Sequence, residues 1–532
     1  MRCPARAPAA AGGCCRLIRI VILACLGFVA ASMLATWVYG LFASRAQGEP
    51  SYALSIERGR TPLDQRIGAT TDAHPGESGL LLLDENLDAF AARGLSARKV
   101  ERSLDLMYYI WHDDLTGRLL LAEALSAADR GVRVRILIDD IGTSHTSDAM
   151  IAMAHHPHIE IRIFNPTRAR QGGLRRGIEM MLRAFSVTRR MHNKAWIADG
   201  RVAILGGRNI GDAYFDAATQ TNFRDMDVLV MGPAVAQTEK IFDDYWNSGL
   251  ALPVDRLSPL KDPGVALTRI AAELSNAANE AAARPYLERI AKRLSLLDPE
   301  TTRPDWTRAA RVIADPPRKV LGKEGKNWLM HDLLPVFDAA RERLEITSPY
   351  FIPGEEGTAA LAAIAAKGVS VSVLTNSLAA TDVAAVHGGY ARYRVPLLEA
   401  GIKLWELRPE HQERDFSLRG SSRASLHTKA FTADGHMGFI GSMNLDPRSA
   451  SLNTEMGVLF ESEALARKMA AIWQRDTAPS RSYEVCLTSD GDVEWAGSRN
   501  GVPVRYDREP EASFWRRLTA QAIGLLPLES QL

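Results

Sequence analysis

Ile20 to Ala43 is a run of 24 residues without a charged side chain, longer than the ~20 residues an α-helix needs to cross a bilayer. Arg2, Arg6, Arg16 and Arg19 precede it with no acid among them. By the positive-inside rule the N-terminus stays in the cytoplasm and the rest of the chain emerges on the opposite face. A cleaved signal peptide, with Ser44-Arg45-Ala46 as its processing site, is the competing reading, but signal apolar cores run only ~7–15 residues. From about 44 to 78 the chain is rich in Gly, Ala, Thr, Ser and charged groups, which predicts a tether. Short apolar runs follow, among them Leu104-Asp105-Leu106 and the strand-like Ala195-Trp196-Ile197-Ala198 and Ala430-Phe431-Thr432-Ala433. Each of the last two is closed by Asp-Gly, as a buried strand entering a turn would be. The stretch from 252 to 335 has Ala- and Leu-rich helical periodicity, as in Leu267 to Ala283, and then Pro316-Pro317; it predicts a helical connecting segment.

The two Asp-Gly strands begin alike. His192-Asn193-Lys194 with Asp199, and His427-Thr428-Lys429 with Asp434, both read H-x-K-x-x-x-x-D. Strand side chains two apart share a face, so each copy sets an imidazole beside an ammonium. An imidazole can attack phosphorus or move a proton near neutral pH, and a lysine can hold a phosphoryl oxygen. After each Asp comes a turn, Gly206-Gly207-Arg208-Asn209 or Gly441-Ser442-Met443-Asn444. Asn209 and Asn444 add neutral donors for the same oxygens, with Gly207 and Ser442 at the equivalent turn position. One such set would leave attack and leaving-group protonation to a single imidazole. Two sets let one histidine form a covalent phosphohistidine while the other serves as acid and then base. Asp199 and Asp434 fit either this chemistry or an ordinary turn at the strand end.

The repetition extends beyond the motifs. Leu104-Asp105-Leu106 aligns with Leu344-Glu345-Ile346, and Gly131-Val132-Arg133-Val134 with Gly368-Val369-Ser370-Val371, at offsets of 240 and 237 residues against 235 for the histidines. A near-constant offset predicts tandem duplication of a whole α/β domain. Asp225 and Glu455 recur at equivalent places after the turns. Each is read either as orienting the opposite half's histidine or as a solvated strand-end acid.

The paired motifs resemble the phospholipase D superfamily. The strings Tyr108-Tyr109-Ile110-Trp111, Arg190-Met191-His192-Asn193-Lys194, Asn209-Ile210-Gly211-Asp212-Ala213-Tyr214-Phe215, Leu374-Thr375-Asn376-Ser377-Leu378-Ala379 and Leu452-Asn453-Thr454-Glu455-Met456-Gly457 resemble bacterial cardiolipin synthases of the C-type, over about residues 80 to 530. Gly207 departs from the serine common in the superfamily turn, which puts one phosphate contact in doubt. The resemblance implies a pseudo-dimer of phospholipase D-like domains, each a mixed β-sheet flanked by helices, behind one transmembrane helix. It also implies transfer of a phosphatidyl group, from phosphatidylethanolamine or phosphatidylglycerol, to phosphatidylglycerol. By superfamily analogy His192 is the nucleophile and His427 the acid/base. No cofactor is implied, and no H-E-x-x-H or C-x-x-C metal pattern is present.

The expected organisation is a basic cytoplasmic N-terminus (1–19), anchor (20–43), tether (44–78), first domain (79–251), helical connecting segment (252–335), second domain (336–480) and C-terminal segment (481–532). The inner membrane is the expected location, with the body in the periplasm. Cys486 is the one cysteine beyond the anchor, so no disulfide framework is available there. A net charge of +1 supplies no bulk field for nucleic acid. Hydrolysis to phosphatidic acid uses the same residues and stays open, whereas a nucleic-acid phosphodiesterase and a non-catalytic scaffold are disfavoured by charge, anchor and intact motifs. Arg168 to Arg190 holds seven arginines and one acid, Glu179, among Leu174, Ile178, Met181, Leu182 and Phe185. It reads either as an element resting on anionic headgroups at the entry to His192 or as a solvated basic loop. Phe514-Trp515-Arg516-Arg517 with Leu518, Ile523, Leu525 and Leu526 reads as interfacial or as packed on the body. Tyr108, Tyr109, Trp111, Tyr350 and Phe351 are read as channel wall or core, and His387 as a candidate headgroup contact.

Overall fold

The computed structural model describes residues 11–57, 59–142, 147–170, 173–281, 283–294, 303–322, 325, 328–409 and 424–524. The readings that fall on Arg2, Cys3, Arg6, Leu525, Leu526 and the side chain of Phe185 lie outside the described residues.

The first half is built on strands β1 (Ser78–Leu83), β2 (Ser103–Ile110), β3 (Arg133–Gly142), β4 (Ile159–Phe164), β5 (Ala195–Ala198) and β6 (Val202–Gly206). It continues through β7 (Asn222–Arg224), β8 (Asp227–Met231), β9 (Ala251–Pro253) and β10 (Asp305–Thr307). The second half carries β11 (Ala310–Ala314), β12 (Arg343–Thr347), β13 (Ser370–Asn376), β14 (Lys403–Leu407), β15 (Ala424–Leu426) and β16 (Lys429–Ala433). It ends with β17 (Met437–Gly441), β18 (Met456–Glu461), β19 (Ser482–Leu487), β20 (Val493–Arg499) and β21 (Val502–Tyr506).

Among the described residues the sheet orders are β10-β1-β8-β6-β5-β2-β3-β4-β9 and β11-β18-β17-β16-β12-β13-β14-β19-β20-β21. Seven consecutive strands match one for one, β8 with β18 through β9 with β19, so the duplication is one of topology as well as motif. In each half three parallel strands, β2-β3-β4 or β12-β13-β14, adjoin an antiparallel motif hairpin, β5-β6 or β16-β17. The parallel strands follow helices, such as Leu115–Asp129 and Gly354–Ala366, that cross back over the sheet as right-handed connections require. One apolar core runs between the halves, joining Leu205, Val228 and Val230 to Ile440, Met456 and Val458. The two sheets are therefore fixed to one another by burial.

The structure differs from the expected organisation in three places. The segment 252–335 holds helices Pro263–Ala277 and Ala283–Leu294, but it also supplies β10 to one sheet and β11 to the other. Helical periodicity could not show this, because three- and five-residue edge strands leave little pattern. The C-terminal segment likewise adds β19 to β21 to the second sheet. The helix Phe514–Gly524 packs against Ala384–Ala391, with Phe514 and Trp515 still exposed. The tether is docked: Thr61 caps the helix Pro62–Asp72, and buried Asp64 pairs with Arg102 and Arg201. Ala11–Arg45 forms one helix whose Arg19–Arg45 portion is long and apolar enough to cross a membrane.

Candidate active site

Each motif histidine enters its site through a backbone pairing with the other half. Met191 bridges Thr454 in parallel, His192 N–H donates to Thr454 O (2.8 Å), and Thr454 N–H donates to Arg190 O (2.9 Å). In the mirrored arrangement β15 runs parallel to β7, and His427 N–H donates to Arg224 O (2.8 Å). The residue after Thr454 is Glu455, and the residue after Arg224 is Asp225. The same pairing that ties the halves together therefore sets an acid from each half against the other half's histidine. His192 Nδ1 lies 2.8 Å from Glu455 Oε2, and His427 Nδ1 lies 2.6 Å from Asp225 Oδ2. A neutral imidazole donating Nδ1–H to a carboxylate keeps its lone pair on Nε2.

The charged groups of both halves act on one another. His192 is pushed well below the ordinary imidazole value by burial and then by Lys194, Lys429 and His427. Burial and Lys429 also lower His427, but Asp225 opposes the shift. Lys194 is lowered to about 7 and Lys429 to about 8, in both cases chiefly by burial. The two acids diverge. Burial raises Glu455 to about 7. Burial also acts to raise Asp225, but His427, Lys429 and Arg208 hold it below the usual carboxylate range. Each lysine Nζ donates to the carbonyl of the histidine two residues before it, Lys194 at 2.6 Å. The rings are held from the side: Tyr109 packs edge-on to His192 at 4.9 Å, and Tyr214 and Phe223 pack against His427 at 5.2 and 5.1 Å.

Residues 96–246 and 333–477 match the family described as "Cardiolipin synthase, PLD-like domain". The chain is 40% identical over 466 residues to cardiolipin synthase C of Escherichia coli (strain K12), covering 86% of this chain and 96% of that protein. The chain belongs to the PLD-like cardiolipin synthase family. That family is one of enzymes within the phospholipase D superfamily. A more distant member, cardiolipin synthase A of Pseudomonas syringae pv. syringae (strain B728a), is 26% identical over 407 residues, covering 76% of this chain and 69% of that protein. Among solved structures, phosphatidylserine synthase of Haemophilus influenzae Rd KW20 shares the fold at 12% identity, with a TM-score of 0.51 over 76% of this chain and 87% of that one.

Within this family fold the remaining predicted residues separate. Asp199 and Asp434 sit at the far ends of β5 and β16 from the histidines. Asp199 accepts the backbone N–H groups of Glu101, Arg102 and Ser103, and Asp434 those of Arg341, Glu342 and Arg343. Each also takes positive φ ahead of a positive-φ glycine, the pattern of a type I′ hairpin turn. Their carboxylates fasten the chain entering β2 and β12, which is the turn reading of these two residues.

Asn209 uses both ends of its amide, accepting from Ile110 N–H (3.3 Å) and donating to Tyr214 OH (2.9 Å). It holds the tyrosine against His427. Asn444 differs, with a buried Oδ1 that has no hydrogen-bond partner among the described residues. Ser442 donates its hydroxyl to Glu455 and accepts from Met456 N–H (3.0 Å), so its polar capacity is directed at the acid. A Cβ on Gly207 would run into the Asp225 carboxylate. The departure at Gly207 is thus matched to its neighbour: the shorter Asp225 leaves no room for a serine, while the longer Glu455 reaches past one.

The aromatic residues divide between core and site, helped in the first half by a register shift between Tyr108 and Ile110. Tyr108, Trp111 and Phe351 are core, whereas Tyr109 lies against His192 and Tyr350 OH donates to Asp382 (2.8 Å). His387 is held in a separate buried cluster, 3.0 Å from Glu509 and 2.8 Å from the Arg394 guanidinium, which also pairs with Glu406. Its three potential ligand atoms converge, but that guanidinium already neutralises the acids. Phe223 was not legible as a site residue, since its place against His427 comes from β7 pairing with a strand about 200 residues away.

Proposed function

We propose that this enzyme transfers a phosphatidyl group through a phosphohistidine to the free hydroxyl of phosphatidylglycerol, forming cardiolipin. Phosphatidylethanolamine or phosphatidylglycerol is the donor. The observation that carries this reading is the crossed pairing of His192 with Glu455 and His427 with Asp225. In the first step His192 Nε2 attacks phosphorus, the bond from phosphorus to the donor's headgroup oxygen breaks, and His427 protonates that oxygen. In the second, His427 takes the proton from the acceptor hydroxyl, its oxygen attacks phosphorus, and the bond to His192 breaks. Lys194 and Lys429 stabilise the charge on the phosphoryl oxygens, and Asn444 offers its amide.

Electrostatics supports the division of labour. Burial and the two lysines keep His192 unprotonated, as a nucleophile must be. His427 faces the acid that remains ionised, which favours the imidazolium needed to protonate a leaving group. The identity to cardiolipin synthase C supports the product, and the apolar first helix supports attachment to the inner membrane with the body on the periplasmic side.

Lipid analysis of a cardiolipin-deficient bacterial host tests this. Wild type should restore cardiolipin, and His192→Ala and His427→Ala should each abolish it. Accumulation of phosphatidic acid instead would make the enzyme a hydrolase, with water as acceptor.

A further inference from the structure

A surface helix in a water-soluble protein turns its apolar stripe inward and its charges outward. The helix Gly173–Leu182 does the reverse. Leu174, Ile178 and Met181, spaced to share one face, are 79%, 46% and 55% exposed. Its opposite face is bonded to the body. Glu179 accepts from the backbone N–H of Arg168 (2.9 Å) and Ala169 (2.8 Å) and pairs with Arg183 (2.7 Å), while Arg176 lies 3.5 Å from buried Asp140. The one acid of the helix is consumed in these contacts, while Arg175, next to Leu174 on the helix, and Arg168, ahead of it, are exposed.

This inverted helix sits against the apolar N-terminal helix. Arg183 lies 3.3 Å from the Tyr39 ring centroid, and Arg168 lies 5.0 Å from that of Phe42. A groove of about 1100 Å³ continues between the two parts, bounded by Phe28, Met33 and Trp37 on one side and Leu182 and Leu321 on the other. An outward apolar stripe, flanking arginines and continuity with a membrane-crossing helix fit one occupant, an anionic phospholipid leaflet.

We propose that Gly173–Leu182 is a second membrane attachment. It lies in the boundary between headgroups and acyl chains, with Leu174, Ile178 and Met181 among the chains and Arg168 and Arg175 on anionic phosphates. The inference rests on the reading that Ala11–Arg45 crosses the membrane. Because the helix leads through Arg190 and Met191 to His192, it holds the body at a set height over the lipid.

The test uses the full chain, its native cysteines replaced by serine, in vesicles of phosphatidylethanolamine and phosphatidylglycerol. A polarity-sensitive fluorophore is placed by Leu174→Cys, Ile178→Cys or Met181→Cys, with Leu26→Cys as the anchor probe and the exposed strand position Val502→Cys as the aqueous reference. The three helix probes should emit to the blue of Val502→Cys and be quenched by lipids spin-labelled near the top of the acyl chain. Adding Arg168→Glu and Arg175→Glu should weaken that quenching. If Leu26→Cys is quenched and the helix probes are not, the second attachment is wrong while the anchor stands. If Leu26→Cys is itself unquenched, the anchor reading fails and this inference with it. A blue shift that persists in detergent and vanishes on dilution would identify a second copy of the chain as the occupant and overturn the proposal.

Discussion

At the scale of single residues, the two halves of the site are alike in geometry and unlike in charge. Glu455 is raised to about 7 while Asp225 is held low, and Ser442 and Gly207 are the matching differences beside them. On the proposed mechanism the carboxylates fix which imidazole nitrogen carries the proton, so Glu455→Gln and Asp225→Asn should leave the chain folded yet cut turnover by about 10²- to 10⁴-fold. Steady-state kinetics beside an unchanged circular dichroism spectrum checks this; near-normal rates would leave the acids a structural role. A pH profile follows from the same groups. His192 must be neutral, and its affinity for a proton is depressed, so activity persists below the ordinary imidazole value before the acid limb falls. Lys194 and Lys429 must be charged, and that charge is lost as pH rises through about 7 and about 8. His427 must also begin protonated, and its own value is lowered. We therefore expect kcat/KM to decline with rising pH from below the ordinary imidazole value and to fall further through about 7 and about 8. The alkaline limb of kcat should be displaced upward because a bound phosphodiester favours the charged groups. An alkaline limb near the ordinary lysine range in both parameters would contradict the burial that lowers these groups.

At the scale of elements, the motif hairpins show how one repeated pattern divides between the paired histidines and the architecture. The strand period puts His192 and Lys194 at one end of β5, while Asp199 occupies the turn at the other end. Asp199→Ala removes the acceptor for three backbone N–H groups and should cost about 2–3 kcal/mol. Denaturant melts should register that loss while the folded fraction keeps its specific activity; a collapse of activity in fully folded protein would return the residue to the reaction. The hairpins themselves were legible, since apolar runs closed by Asp-Gly are a local signal. The edge strands β10 and β11 and the added strands β19 to β21 were not. β10 and β11 are only three and five residues long, and the strand character of all five comes from the sheet they extend.

For the whole molecule, the duplication brings both motifs together in one chain, and on the proposed mechanism a single chain suffices. The shared core and the crossed backbone pairings close the site within one copy. Co-reconstituted His192→Ala and His427→Ala chains should therefore restore no product in a lipid transfer assay. Recovered activity would mean that halves exchange between chains. The sequence by itself determined the doubled motif, the repeat, the apolar first helix and the side-chain types the motif carries, because spacing, periodicity and composition are local properties of the chain. Only the tertiary structure decided that each acid serves the opposite histidine, that Asn209 holds a tyrosine, that the tether is docked and that the helix Gly173–Leu182 faces outward. Each of these depends on which segments far apart in sequence become neighbours, and that is settled by burial of the common core.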